Sequence, residues 1–453
     1  MRRESLVFAG GVVLLSLCVA ACGMKPQDNY QKMRANLVAR NFDAVDQYLE
    51  KAKKKVYSED NRLLFYMDKA TVLHLGKKYK ESNKLLEQAK QTAQDLWTES
   101  VGKNAAAWFT TDNSLPYQGE DFEKVLIHFV SALNYIGMKE YSGARVEARQ
   151  ITNKLEVFTS KYEQRDNIYK DDAFARWLSG KLAETALRQD PNAFNDAWID
   201  YKKAITVYET DYAQRYQVAV PKFVVADALR ALEALGADFQ PEFNDVRSKF
   251  PAVEYASLEE TKGLGEVVFI HQAGEAPYKI DEFWDVSANN DPIRVAFPRF
   301  VAKKNQIIGC RVTVAGKSAI GEVGEPLTAI AIQNLDDHMA RIKAKAVARA
   351  IAKYIAAKAA QEAGKRTEGT GGALLQLGGA IFQAANYIAE EADKRSWITL
   401  PANVNVARVF ADAGQQQLEV DLLGAGGRVV DRVSLPIEVK ENEITFVSYR
   451  SFR

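Results

Sequence analysis

The stretch Phe42-Asp43-Ala44-Val45-Asp46-Gln47-Tyr48-Leu49-Glu50-Lys51-Ala52 carries the pattern that decides the fold of the first half of this chain. Phe42, Val45, Leu49 and Ala52 follow one another at spacings of three and four residues, which places them on one stripe of an α-helix. Helical spacing with few glycines or prolines continues to about residue 250 and predicts a helical domain over 29–252. The same order, an aromatic followed by smaller residues, returns at Tyr79–Ala89, Tyr141–Ile151 and Phe194–Ala204.

The repeated stripe resembles the second helix of a tetratricopeptide repeat, in which the aromatic fills the space between helices and a small residue lets a neighbour approach. The aromatic residues lie 37, 62 and 53 residues apart. Because this interval is not constant, the resemblance implies degenerate repeats with extra or longer helices between them. We therefore expect a solenoid-like array, with a plain antiparallel helical bundle as the alternative. A solenoid exposes a concave face that commonly binds a peptide or a partner protein.

The period of the apolar residues changes to two at Gly265, which predicts a second domain over 260–453. Between its strands, Ile330–Gln361 reads as an Ala-rich helix, a glycine-rich break follows, and Ala373–Lys394 reads as a second helix. The predicted fold class is therefore α followed by α+β, with a helical hairpin between strands. The predicted strands are Val267–His271, Tyr278–Trp284, Ile293–Ala296, Gln306–Ala315, Val404–Phe410, Gln417–Leu423, Val429–Leu435 and Glu443–Tyr449.

Two arginines near the start of the chain precede an apolar run, Leu6–Ala21, that ends in Val19-Ala20-Ala21 directly before Cys22. A positive segment, a short apolar segment and small residues before the cut are the parts of a secretory signal. With a cysteine next, the segment resembles the bacterial lipobox, which implies cleavage before Cys22 and acylation of its thiol and amine. We expect residues 1–21 to be the signal peptide and 22–28 a lipid-anchored tether, with the acyl lipid as the only cofactor.

The composition excludes one class of partner. The 453 residues include 60 Lys and Arg against 59 Asp and Glu, whereas proteins that bind nucleic acid usually carry a basic excess. After processing and acylation at Cys22, Cys310 is the remaining cysteine, and its apolar neighbours predict a small buried side chain. The apolar segment Gly371–Ala389 contains three amides, which favours a core or interface helix over contact with lipid.

A loop that interrupts the helical spacing is the predicted contact with a partner. Turn-forming residues cluster over 112–123 together with aromatic and acidic residues. Loops of a solenoid often bind partners, so we predict that Tyr117, Glu120, Asp121 and Phe122 form the partner-binding site. A packed connector between two helices is the alternative.

Residues for catalysis or metal binding do not form a recognisable pattern. The four histidines lie in separate segments, and none has a second His or Cys at a metal-ligand spacing. We therefore expect a protein that is not an enzyme and holds no metal. The alternative is a binder or hydrolase of cell-wall glycan or peptide, which predicts a pocket of acids and aromatics around Trp284, Asp285 and His271. No sequence pattern selects one catalytic pair among the acids.

The chain as a whole resembles a family of predicted Gram-negative outer-membrane lipoproteins with tetratricopeptide-like N-terminal halves. The resemblance covers nearly the full length and rests on the lipobox at Cys22 and on Pro116–Lys124, Gly265–Ile270 and Asp393–Pro401. Glycine, not the aspartate that implies retention in the inner membrane, follows Cys22, so the resemblance implies a periplasm-facing position on the outer membrane. The family has no assigned activity. Its plan is similar to that of lipoproteins that regulate peptidoglycan synthases.

These observations favour a lipid-anchored periplasmic adaptor or scaffold that binds protein or peptide partners in envelope biogenesis. The lipid on Cys22 is the contact with the membrane, and a protein bound by the helical half is the expected partner. Peptidoglycan is an alternative partner. A structural component of an envelope secretion or motility assembly is a further alternative.

Overall fold

The computed structural model describes residues 26–102, 115–161, 169–187, 190, 192–288, 291–366 and 391–453. The protein combines helices and sheets, and helices precede the mixed part of the chain, as the predicted fold class requires. Cys22, the loop residues 112–114 and most of the predicted helix Ala373–Lys394 lie outside the described residues.

Ten α-helices form the described part of the N-terminal half, and each of them contacts the next along the chain. Two helices continue into π-helical turns, at Lys53–Tyr57 and Tyr208–Tyr216. In the described ranges, no helix of the protein has both the length and the apolar character needed to cross a bilayer. The ten helices are α1 Pro26–Val38, α2 Phe42–Ala52, α3 Arg62–Leu75, α4 Tyr79–Gly102, α5 Asp121–Gly137, α6 Tyr141–Lys161, α7 Ala173–Glu184, α8 Ala193–Val207, α9 Lys222–Leu235 and α10 Gln240–Lys249.

The predicted apolar stripe packs between helices. Val45, Leu49 and Ala52 of α2 are buried, and so are the equivalent residues of α6 and α8. A side chain at Gly137, the last residue of α5, would overlap the ring of Tyr79, so the glycine permits the close approach of α4 and α5. The stripe is therefore confirmed as the buried face of its helices.

Ten strands and one long helix form the described part of the C-terminal half. They are β1 Leu264–Ala273, β2 Tyr278–Ala288, β3 Asp291–Val301, β4 Gly309–Val314, β5 Lys317–Ile320, β6 Glu322–Glu325, α11 Leu327–Arg366, β7 Asn403–Asp412, β8 Gly414–Leu423, β9 Val429–Val439 and β10 Ile444–Arg450. One sheet has the order β10-β1-β7-β6, with β1 and β10 parallel, and a second has the order β5-β4-β8-β9. Strands β2 and β3 form a separate antiparallel pair, against which α11 packs.

Strand β1 is buried on both of its faces because its sheet lies between the helices and the second sheet. Val267 and Phe269 point into the core between the two sheets, whereas Val268 and Ile270 point into the core shared with the helices. Alternate residues of a strand project to opposite faces, so an unbroken apolar run fits a strand covered on both sides. The result is a three-layer arrangement of helices, sheet and sheet.

Alternate helices of the N-terminal array contact the C-terminal half. Helices α5, α7 and α9 contact β10, β6 and β7 respectively. From α1, Arg34 donates to Glu275 at 2.8 Å, and from α3, Asp68 accepts from Thr399 at 2.8 Å. One continuous hydrophobic cluster accordingly runs from α1 to Phe452. The segments on either side of the predicted domain boundary thus share a core.

The structure adds two strands of the C-terminal half that were not predicted and corrects one expectation. Sequence periodicity does not predict β5 and β6, because four residues are too few to show alternation. Residues 391–394, the described end of the predicted second helix, are not helical, because the Ala392 N–H donates to Asp281 instead of to a helical carbonyl. The eight predicted strands and the buried thiol of Cys310 are confirmed.

Candidate functional site

The four residues predicted to bind a partner lie at the start of α5, where the C-terminal half covers them. The side chains of Tyr117, Asp121 and Phe122 are buried. This burial by the chain's own strands matches the alternative of a packed connector for the described part of the loop, residues 115–123. Binding of a partner at these residues stays a prediction.

Contacts with β2 and β3 explain this burial. Phe122 packs edge-on against Phe300 of β3, with ring centroids 6.2 Å apart. Glu120 forms an ion pair with Lys279 of β2, which is itself buried. The acidic and aromatic residues of this loop therefore attach the helical half of the chain to the C-terminal half.

The same loop contacts the segment 393–401, so two of the segments that carry the family resemblance meet in space. The Trp397 backbone N–H donates to Glu123 Oε1 at 2.6 Å. The guanidinium of Arg395 lies 5.1 Å from the centre of the Tyr117 ring. The two motifs therefore form one joint between the helices and the C-terminal half.

Trp397 extends this joint into helix α3. Its indole N–H is shared between the hydroxyls of Thr71, at 3.1 Å, and Thr399, at 3.0 Å. Thr399 donates to one oxygen of Asp68 and Tyr57 donates to the other, each at 2.8 Å. Burial raises the pKa of Asp68 to about 7 even though both hydrogen bonds lower it.

We predict that Glu123 makes the stability of the protein depend on pH. Burial raises the pKa of Glu123 from about 4.5 to about 7 in the folded chain, with the charge of Glu120 adding to the effect. Between these values the folded chain binds more protons than the unfolded one, so stability falls as the pH rises from about 4.5 to about 7. Urea unfolding should show that the free energy of unfolding of the wild type falls by on the order of 2 kcal/mol more than that of Glu123→Gln when the pH is raised from about 5 to about 7.5.

Other titrating groups do not obscure this difference. Burial lowers the pKa of His74 from 6.5 to about 4 and of His271 from 6.5 to about 3, which makes stability rise with pH between the lowered and the ordinary value. These histidines, and Asp68 with its pKa of about 7, are present in both proteins, so their own dependence on pH cancels to first order when the variant is compared with the wild type. Glu209→Gln, at an exposed position, should keep the wild-type dependence on pH. An equal dependence in the wild type and in Glu123→Gln would contradict the assignment.

The residues of the alternative glycan pocket lie in different surroundings. His271 is buried in β1, and its Nε2 lies 2.9 Å from the Ser451 hydroxyl. Trp284 is 45% exposed on β2 and lies under the ammonium of Lys343, which is 3.7 Å from the ring centre. Asp285 forms an ion pair with a β3 arginine. The structure does not bring these three into a common pocket.

Acids and bases instead converge between helices α7 and α9 and strands β1 and β7. The ammonium of Lys181 contacts the carboxylates of Asp227 at 2.7 Å and of Glu184 and Glu266 at 3.0 Å. Arg408 contacts Asp227 at 2.8 Å and Glu266 at 2.5 Å. We call these five residues the junction network. Its three carboxylates face two cations, and all five are nearly or fully enclosed by protein.

The imbalance of charge moves the two glutamates of the junction network in opposite directions. Burial alone would raise the pKa of Glu266, but the charges of Arg408 and Lys181 outweigh it and hold this pKa at about 2. Burial also raises the pKa of Glu184, and here the charge of Lys181 does not outweigh it. The geometry agrees with this difference, because Glu184 contacts Lys181 alone among the two cations of the network, whereas Glu266 contacts both.

A cavity of about 510 Å³ opens next to Glu184 and Glu266, between the ends of helices and the edge of the sheet. Its volume lies within the range of small-ligand pockets. We call it the junction cleft. Besides the two glutamates, its lining consists of Tyr141, Thr185, Leu187, Phe194, Arg230, Leu264, Phe410, Asn442, Glu443 and Ile444.

The guanidinium of Arg230 is partly engaged at the junction cleft, and its buried Nε has no hydrogen-bond partner among the described residues. It lies 4.9 Å from the centre of the Phe410 ring and donates to the Thr261 hydroxyl at 2.5 Å. Tyr141 packs against Phe446 with ring centroids 5.6 Å apart. The cleft therefore combines carboxylates on its floor with aromatic walls.

Sequence reasoning missed the junction cleft, although one signal was present. Glu266 and Arg408 are charged residues inside otherwise apolar runs, β1 and β7, and both side chains project to the helix side of the sheet. A charge in a strand buried on both faces needs a partner. Lys181 carries no comparable signal, because a single lysine in a helix is ordinarily exposed.

The chain matches no protein-family model, curated protein or solved structure in our comparisons. The described residues also contain no cluster of three or more His, Cys, Asp or Glu side chains that could hold a metal ion.

Proposed function

We propose that the protein is a lipid-anchored adaptor of the outer membrane, facing the periplasm, that binds a peptide segment of an envelope protein in the junction cleft. The observation that carries the proposal is the cleft itself, a cavity of about 510 Å³ whose walls come from both halves of the chain. Most of its acidic floor is tied by ion pairs to Lys181 and Arg408, which suits a rigid binding surface.

Within this proposal, helices α2 to α9 are degenerate tetratricopeptide repeats. The support is that α3, α5, α7 and α9 contact the C-terminal half, while the aromatic stripes lie on α2, α4, α6 and α8, of which α6 also reaches β10 through Tyr141. Alternation of this kind is the arrangement of a stacked helix-pair array. The inner helices then hold the chain's own sheet, and the junction cleft is the part of that face left for a partner.

The lipid anchor makes a prediction of its own. Mass spectrometry of protein isolated from its native membranes should find a chain that begins at Cys22 and carries two or three acyl groups. Replacement of Cys22 by serine removes the acylated thiol, so the variant should leave the membrane fraction. An unprocessed Met1 would contradict both the anchor and the compartment.

Photo-crosslinking in cells tests the junction cleft as the binding surface. A photoreactive phenylalanine analogue in place of Leu187, on the cleft wall, should give a discrete adduct with an envelope protein. The analogue in place of Ile199, an exposed apolar residue of α8 outside the cleft lining, is the matched control. Equal adducts from both positions, or none from Leu187 in a folded protein, would contradict the proposal.

A second candidate function is hydrolysis of cell-wall glycan, and one observation favours it. Glu184 and Glu266 both contact the Lys181 ammonium and both line the cleft, yet their pKa values are displaced in opposite directions. Carboxylates separated in this way are typical of an acid and its partner base in glycosidases. Purified peptidoglycan distinguishes the candidates. An adaptor should be retained weakly by peptidoglycan and should release no soluble fragments from it. A hydrolase should release soluble fragments, and the Glu184→Gln variant should not.

A further inference from the structure

The charge of the junction cleft restricts what it can hold. Three of its lining residues are acidic, and Arg230 is the single basic residue among those that line it in the described part of the chain. The arginine already lies over Phe410 and bonds to Thr261. An anion entering this cavity would meet carboxylates at close range in a medium of low dielectric constant, which is unfavourable. A cation entering the cavity would be attracted by the same carboxylates.

The junction network adds a reason for a cation at one position. Three buried carboxylates contact two buried cations, and Glu184 contacts Lys181 alone of these two, whereas Asp227 and Glu266 contact both. Glu184 is also the acceptor for the Tyr201 hydroxyl, so its position is fixed before a ligand arrives. A buried carboxylate that lacks a full countercharge is stabilised by a cation that hydrogen-bonds to it.

The walls favour a cation carried on an apolar stem. Tyr141, Phe194 and Phe410 supply aromatic surface, and Leu187, Leu264 and Ile444 supply aliphatic surface. An alkyl chain packs against such walls while its charged end interacts with the carboxylates and the ring faces. Glutamates on the floor and aromatics on the walls thus match the two ends of an alkylammonium ion.

From this arrangement we infer that the junction cleft binds a primary ammonium group on an aliphatic stem, seated against Glu184 and Glu266. This inference rests on the proposed function and names the group of the partner peptide that is recognised, namely a lysine side chain. A free aliphatic diamine has the same chemistry and is the other source of such a group.

Calorimetric titration of the full chain in detergent tests the inference on the wild-type protein. The probes are cadaverine, pentane-1,5-diol and glutarate, which share a five-carbon chain and differ in charge. Cadaverine should bind saturably, and the diol and the dianion should not. Saturable binding of glutarate, or no binding of cadaverine and of the lysine tripeptide below, overturns the inference without recourse to a variant.

Two blocked tripeptides distinguish the sources of the ammonium group. One has lysine in the middle and the other has norleucine, which keeps the stem and lacks the charge. Tighter binding of the lysine tripeptide than of cadaverine assigns the cleft to a peptide, and the reverse order assigns it to a free diamine. Equal binding of the lysine and norleucine tripeptides would overturn the inference.

A variant locates the binding. Glu184→Gln keeps the shape of the side chain and its acceptor for Tyr201, and should weaken cadaverine binding roughly tenfold or more. Glu242→Gln, in a separate cavity between α8 and α10, is the control and should bind cadaverine as the wild type does. Equal binding by wild type and Glu184→Gln would place the amine elsewhere. If crosslinking at Leu187 succeeds while every amine fails to bind, the inference is wrong and the adaptor proposal stands.

Discussion

Replacement of Lys181 by methionine is expected to lower the free energy of unfolding by about 3–5 kcal/mol. The Lys181 side chain is fully buried, and its ammonium contacts Glu184, Asp227 and Glu266 within 3.0 Å. Methionine has a similar volume, so the packing changes little. The substitution leaves three buried carboxylates facing Arg408 alone, and an uncompensated buried charge is strongly destabilising.

Urea unfolding followed by circular dichroism measures this loss. Lys203→Met, an exposed lysine of α8, is the control and should change stability by no more than about 0.5 kcal/mol. In the Lys181→Met background, Glu184→Gln removes one of the stranded charges and should recover part of the stability, which a double-mutant cycle quantifies. A loss no larger than that of Lys203→Met would show that the junction network does not stabilise the fold.

Trp397→Ala is the second substitution with a large expected effect, a loss of about 3–5 kcal/mol. The indole is 1% exposed and lies in the joint formed by the segment 393–401 and helix α3. Its removal opens a cavity and leaves the hydroxyls of Thr71 and Thr399 without their donor. The hydrogen bond from the Trp397 backbone N–H to Glu123 remains in the variant, so the loss of stability measures the contribution of the indole side chain.

Trp284→Ala provides the matched control, because Trp284 is 45% exposed on β2. We expect it to cost less than Trp397→Ala, about 1–3 kcal/mol, because nearly half of the side chain is already exposed while the rest packs against Phe297 and Lys343. Circular dichroism is again the measurement, because each substitution removes a fluorescent tryptophan. Equal losses for the two tryptophans would contradict the role given to Trp397.

The two large effects concern different joints between the halves of the chain. Lys181 joins α7 to β1, and Trp397 joins the segment before β7 to α3. Neither residue contacts the partners of the other among the bonds described above. The losses should therefore add in the double variant, whereas a smaller combined loss would indicate that one joint depends on the other.

Most of the elements of this fold could be predicted from local pattern. Spacings of three and four residues locate the stripe on α2, a short apolar run locates β1, and alternation locates C-terminal strands such as β8. These signals are local, because each helix or strand has its own apolar face and the spacing of that face is visible within its own residues. The four-residue strands β5 and β6 are too short to show such a signal, and only their pairing with β4 and β7 defines them.

The loop before α5 shows the limit of composition as a guide. Turn-forming residues correctly indicate a break in the helices ahead of Asp121. Whether Tyr117 and Phe122 face solvent depends on the position of β3 and the segment 393–401, which follow more than a hundred residues later. The sequence pattern is the same for an exposed loop and for a covered one.

By itself the sequence determined the helical and strand periodicities, the buried character of Cys310 and the signals that predict a lipid on Cys22. Only the tertiary structure decided which polar groups are buried together. Lys181 and Glu266 are 85 residues apart in the chain, and Glu266 and Arg408 are 142 apart, yet they form one ion network beside one cavity. The physical reason is that periodicity reports the apolar face of a single element, whereas the pairing of buried charges depends on how separate elements pack.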